Sequence, residues 1–191
     1  MTDSKKFPLI SGHLSLDLVN TELVRRGQRH NLLVTEEDVM EWLELMKDHT
    51  IVIDQSLISQ AKERSAEVFS SLLLFRSILR ENFESLADGH SIPDEFIDFL
   101  EKKVEKAPFT YKLINQKLIP TPIGESENVL LSLIAFDALT LIGENLQTFL
   151  KRCSNPECVL LFLDKSGRRK WCSMKICGNR TKVARFQQKL D

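Results

Sequence analysis

Apolar residues recur at spacings of three and four along most of this chain, the pattern of helices packed on one face. Phe7-Pro8-Leu9-Ile10 reads as a short extended segment ended by Ser11-Gly12. Leu16, Val19 and Leu23 then give residues 14–24 one apolar helical face, with Asp17, Asn20, Thr21 and Arg25 on the other side. Residues 26–34 read as a loop. Thr35, with Asp38 three positions on, predicts a capped helix to about Lys47 whose stripe is Val39, Trp42, Leu43 and Met46. Asp54 opens a long helix to about Asp88, stopped at Gly89, and Pro93 starts another that ends before Pro108. Residues 111–114 and 117–119 flank Asn115-Gln116 and predict a β-hairpin. A helix over 125–150 leads straight into Cys153 with no flexible linker, so the C-terminal part is expected to be attached rigidly.

These elements predict a mostly helical α+β protein. With 191 residues and 42% hydrophobic content, the expected division is a helical body over residues 1–150 and a small module over 151–191. The apolar runs Leu72, Leu73, Leu74, Phe75 and Leu130, Leu131, Leu133, Ile134 exceed one narrow stripe. Either they are fully buried in one chain or part of them faces a second copy in a homodimer.

Charge separates the two parts. The formal net charge is −1, but residues 151–191 carry eleven Lys/Arg against three acids, or +8, leaving −9 on the rest. A basic end on an acidic body suggests two tasks. The first six residues are polar and lead into no long apolar run, so no secretory leader is predicted. Apolar runs such as 129–136 are short of a membrane span, and no membrane is expected as a partner. A cytoplasmic, reducing compartment is the expected location.

All four cysteines lie in the basic end: Cys153 and Cys158, then Cys172 and Cys177, two C-x4-C pairs separated by thirteen residues. Paired cysteines in a reducing compartment favour one Zn²⁺ held by four thiolates over disulfides. Four thiolates leave no open coordination position, so the zinc is expected to be structural. Residues 159–164 and 169–171 suggest two short strands turning at Lys165-Ser166-Gly167, and Ser173 suggests the cap of a final helix. Knuckle, hairpin and helix in this order match a treble-clef finger. So small a module needs the metal because it cannot bury enough apolar surface alone.

The run Arg168-Arg169-Lys170-Trp171-Cys172-Ser173-Met174, with Cys177-Gly178-Asn179-Arg180 after it, resembles the CGNR zinc-finger family, and Phe162-Leu163-Asp164-x-Ser166 is similar to its upstream pattern. Leu14-Ser15-Leu16-Asp17-Leu18-Val19-Asn20-Thr21 resembles the opening of the ABATE domain that accompanies this finger. Lys170 departs from the family pattern, which leads one to expect an arginine there. The resemblance spans nearly the whole chain and implies a bacterial DNA-binding transcription regulator of stress responses.

Two groups of residues are candidates for function beside the cysteines. Arg168, Arg169 and Lys170 lie at the turn, and Lys182, Arg185 and Lys189 share one face of the final helix, a cationic surface suited to DNA phosphates. Arg180 either reaches DNA or pairs with Asp164. Trp171 either packs against the metal site or stacks on bases. Asp17, Asn20, Thr21 and Arg25 form the second group, read either as a small-molecule site or as polar bracing of the fold. His13, His30, His49 and His90 share no ligand spacing, and no nucleophile–base motif is present, so no enzymatic activity is expected. The expected function is DNA-binding regulation, in which the finger contacts DNA and the body senses a signal or dimerises. An RNA- or protein-interaction module and a small-molecule-binding or enzymatic body are the alternatives.

Overall fold

The computed structural model describes residues 6–25, 27–50 and 52–179. Six α-helices and three two-stranded antiparallel sheets occur among these residues: α1 Leu14–Val19, β1 Glu22–Arg25, β2 Gln28–Asn31, α2 Glu36–Lys47, α3 Gln55–Glu63, α4 Ser65–Ala87, α5 Asp94–Lys106, β3 Phe109–Ile114, β4 Lys117–Pro122, α6 Ser126–Gly143, β5 Leu150–Arg152 and β6 Leu161–Leu163. The protein is thus α+β and mostly helical.

Helix α6 is the axis of the body, packed against α5, α1, α4 and α3. Ten of its residues are buried, on all sides rather than along one stripe. Its apolar character extends over more of its length than the run 129–136 picked out from the sequence. By length and composition alone, its mean hydropathy of 1.4 would suffice to cross a membrane, yet just over half of it is buried as the core helix of this fold. The expected apolar surplus is absorbed in the same way: Leu72, Phe75, Leu130, Leu131, Leu133 and Ile134 are buried, and Leu74 alone of the eight is largely exposed.

Several boundaries differ from expectation, each for a physical reason. The helix over 14–24 stops at Val19, because Asn20 and Thr21 turn their side chains onto other backbone and Glu22 begins β1. The supposed loop at 26–34 contains β2, which pairs Asn31 with Glu22. The long helix from Asp54 breaks at Arg64, whose φ of −123° and ψ of 36° lie outside the helical region. The helix over 125–150 ends at Gly143; Asn145 adopts a left-handed conformation, and a single 3₁₀ turn leads into β5. Thr35 and Asp38 form the predicted capping box. The β3–β4 hairpin turns at Asn115 and Gln116, both at positive φ, and is longer than predicted on both sides.

Helix α4 carries two buried guanidiniums, Arg76 and Arg80, on the face it turns toward β1. Arg76 donates to Thr21 Oγ1 (2.8 Å) and Asn31 Oδ1 (2.7 Å), and its Nη2 lies 3.2 Å from Glu22. Arg80 donates to the carbonyls of Val19 and Val159, and its Nε lies 2.7 Å from Glu22 Oε2 as an ion pair without hydrogen-bond alignment. Burial lowers the Arg76 pKa; Glu22 opposes that shift and Arg80 adds to it. Glu22 therefore serves both buried cations, and Arg80 has a second carboxylate in Glu84 at 2.9 Å.

Removing Glu22 leaves Arg76 as a buried charge with no carboxylate among the described residues, while Arg80 keeps Glu84. Glu22→Gln should lower unfolding free energy by about 3 kcal/mol, read as a fall in the urea midpoint. Glu67→Gln removes a partner of the exposed Arg64 and should leave the midpoint unchanged.

Candidate metal centre and basic surface

The first cysteine pair is built on a turn that its own sequence supplies. Asn155 Oδ1 accepts from the Glu157 amide (3.1 Å), and the Asn155 carbonyl accepts from the Cys158 amide (2.9 Å). The Asn155 amide group also lies 3.6 Å from Cys177 Sγ, and the Cys172 amide points at Cys153 Sγ (3.4 Å). Donors to sulfur favour thiolates. Ser173 caps the short π-helical turn Met174–Gly178 by accepting from the Ile176 amide (3.0 Å), which aims Cys177 back at the first pair.

The four Sγ atoms lie within 4.8 Å of one another, and Cys158 and Cys172 stand 3.8 Å apart. A tetrahedron of thiolates about 2.3 Å from one ion has edges of about 3.8 Å, whereas a disulfide needs about 2.05 Å. The residues therefore fit a single four-coordinate metal ion. Without a cation the thiols compete for charge. Hydrogen bonds from Cys158 and then Cys172 pull the Cys153 pKa far down, whereas the bond with Cys153 pushes Cys158 up to about 12 and Cys172 higher still.

The predicted strand pairing of 159–164 with 169–171 does not form. Strand β6 pairs instead with β5, ahead of the first cysteine, with Leu161 opposite Arg152. This pairing gives β6 two packed faces. Leu161 and Leu163 face the body core, while Leu160 and Phe162 join the cysteines in a second cluster that also takes Ile10 and Leu23 from the N-terminal segment. The metal centre is thus packed onto the body, and its order of knuckle, loop and second cysteine pair is compatible with a treble clef.

Asp164 ends β6 and organises the basic turn. It accepts from the Ser166 hydroxyl (2.6 Å) and from the amides of Ser166 (3.0 Å) and Arg169 (2.8 Å), and the Ser166 hydroxyl leads the donors that hold its pKa below the usual range. Asp164 therefore already has its donors within the turn. Arg169 folds back: it donates to the carbonyls of Trp171 and Cys172, and its guanidinium stacks 4.3 Å over Phe162. Trp171 is half-buried against the cysteine cluster. Arg168 and Lys170 are exposed with no acidic partner among the described residues, whereas Arg152 is held by Asp88 and Glu84. Arg180, Lys182, Arg185 and Lys189 lie outside the described residues, as does most of the predicted final helix.

The N-terminal candidates do not share one surface. Asn20 is fully buried, and its amide both donates to and accepts from the Leu161 backbone, each at 2.9 Å. Thr21 is buried between the Leu18 carbonyl and Arg76. Asp17 is 5% exposed and accepts from the Ile10 and Ser11 amides and the Ser11 hydroxyl. The Arg25 side chain lies outside the described residues. Sequence reasoning missed the partners that complete this region, Glu22, Arg76 and Arg80; two arginines four apart on an otherwise apolar helical face were the available signal.

Residues 150–189 match the CGNR zinc finger, and residues 12–145 match the family described as ABATE, "Putative stress-induced transcription regulator". No curated protein matches the chain in sequence. With more than half of its length inside the second match and a clustered set of four metal-binding cysteines behind it, the chain belongs to the ABATE family and carries a CGNR zinc finger at its C-terminal end.

Proposed function

We propose that this protein is a bacterial, cytoplasmic, DNA-binding transcription regulator without enzymatic activity. A zinc finger with one structural Zn²⁺ contacts DNA, and the helical body receives the signal. The observation that carries this reading is the basic turn, which has no acidic partner among the described residues. The metal cluster and Asp164 hold residues 165–170 in place, and Lys165, Arg168 and Lys170 face solvent without a counter-charge among the described residues. Four thiolates with Zn²⁺ contribute −2 to the +8 of residues 151–191, leaving about +6 for phosphates. Lys182, Arg185, Lys189 and Arg180 supply further cations from the segment that follows. Arg169, also exposed, adds its charge to this surface while its guanidinium braces the turn on two carbonyls and Phe162.

Elemental analysis should find one zinc per chain. Metal affinity should fall by more than about tenfold per pH unit on acidification, because binding displaces more than one thiol proton. Chelation, or Cys172→Ser, should raise amide exchange at residues 6–25 as well as in the finger, because Ile10 and Leu23 pack on the cysteine cluster. Metal-free protein with unchanged exchange throughout would contradict this.

Binding to duplex DNA should weaken steeply with salt. Arg168→Ala with Lys170→Ala should lower the slope of log affinity against log salt by about two and leave zinc content intact. Lys182→Ala with Arg185→Ala should do the same. Arg169→Ala should instead loosen zinc. A double variant that binds as well as the parent at low salt, or a parent that prefers RNA to duplex DNA, would overturn the reading.

A further inference from the structure

The body contains a partly open pocket of about 380 Å³ lined by α1, the segment at the end of α2, the β3–β4 hairpin and α6. This volume lies within the range of about 300–1,000 Å³ typical of small-molecule sites. Its apolar wall includes Leu14, Met46 and Leu133 and a pair of rings, Phe109 and Phe136, with centroids 4.6 Å apart at 39°. Its polar wall holds two carboxylates, Asp17 and Asp137, and two imidazoles, His13 and His49.

The two carboxylates are in different states of satisfaction. Asp137 is occupied on both oxygens: Oδ1 meets His13 Nδ1 at 3.3 Å, and Oδ2 accepts from the Ser15 amide (2.8 Å) and hydroxyl (2.5 Å). The hydrogen bond with Asp137 raises the His13 pKa, which favours its charged form as the counter-ion. Asp17 takes all three of its hydrogen bonds on Oδ1, and Oδ2 has no donor among the described residues. The residue is 5% exposed and lines the cavity. Burial pushes its pKa up, against the Ser11 and Ile10 donors and the more distant His49. A buried carboxylate with one oxygen unpaired among the described residues, in a pocket that two aromatic rings also line, is the chemistry that receives an ammonium: the carboxylate supplies the counter-charge and the rings can supply a cation–π contact.

We infer that this cavity is a binding site for a small organic amine with an apolar or aromatic body, its ammonium on Asp17 Oδ2 and its body against Phe109, Phe136 and Leu133. Binding stands on the cavity alone; only the view that the amine is the signal rests on the regulatory reading.

The test uses the full-length, zinc-loaded protein without DNA, so its failure is distinct from a failure to bind DNA. Three probes of similar shape are titrated, 2-phenylethylamine, 2-phenylethanol and 3-phenylpropionate, while the methyl resonances of Met46 and Leu133 are followed by NMR. The amine should shift them saturably, the alcohol should bind at least about tenfold more weakly, and the carboxylate should leave them in place. Asp17→Asn keeps an oxygen for the Ser11 donors and removes the charge, and it should weaken the amine at least about tenfold. Thr140→Trp should fill the cavity from α6 and abolish binding with Asp17 intact. Should either variant fail to fold, the probe series on the parent protein decides. Equal or tighter binding of the alcohol or carboxylate would overturn the inference. So would unaltered amine binding by folded Asp17→Asn, or no saturable shift with the amine up to about 20 mM, well above the millimolar affinity reasonable for so small a probe.

Discussion

The arrangement of the whole molecule depends on how the side chain of Asn20 reads the backbone of Leu161. Its amide offers one donor and one acceptor, and it meets the N–H and the C=O of that residue at 2.9 Å each, just as a neighbouring strand would. Both partners are fully buried, so water cannot replace either bond, and losing one would leave a polar group stranded in the core. Arg80 makes the second tie, bridging the carbonyls of Val19 and Val159. Between them these side chains hold the end of α1 and the entry to β6 in one register. That register decides which side chains of β6 face the body and which face the metal. A one-residue slip would send Phe162 into the body core and expose Leu161 to the cysteines.

Buried polar ties of this kind are a weak source of net stability and a strong source of uniqueness. The apolar surface could be covered by many packings of six helices. Two guanidiniums, one shared carboxylate and an amide accept few. This explains why α1 is so short. A longer helix over 14–24 would have satisfied the apolar spacing of Leu16, Val19 and Leu23. It would also have left Asn20 unable to reach Leu161 and Thr21 unable to serve Arg76. Tertiary satisfaction of buried groups prevailed over local periodicity.

The same contrast separates what could be read along the chain from what could not. The capping box at Thr35, the hairpin at Asn115-Gln116, the core stripe of α2 and the cysteine cluster are local features: each depends on residues a few positions apart or on a metal's demand for paired ligands. The turn of Asn20 onto Leu161 and the sharing of Glu22 by Arg76 and Arg80 depend on partners distant in sequence. In the finger, Arg168, Arg169 and Lys170 look alike as letters. The turn closed on Asp164 sends the middle one onto Phe162 and its neighbours outward. Composition reported the charge of this segment; backbone geometry sorted which charge is structural and which is free.

Helix α1 has only six residues, and it touches everything that matters here. Ser15 and Asp17 belong to the polar wall and bracing of the body cavity, Val19 gives its carbonyl to Arg80, and Asn20 follows immediately with its grip on β6. From Asp17 to Asn20 the rise is about 4.5 Å, less than one turn. So short a helix leaves no room for an internal hinge. Asp17 is thus joined to the strand beneath the cysteines by one short element and the two hydrogen bonds of Asn20. Coupling between two sites requires an element with two arrangements, each favoured by a different ligand state. In this fold α1 lines the cavity, and its C-cap residue Asn20 hydrogen-bonds to β6, the strand packed against the cysteine cluster, so α1 is placed between the two sites.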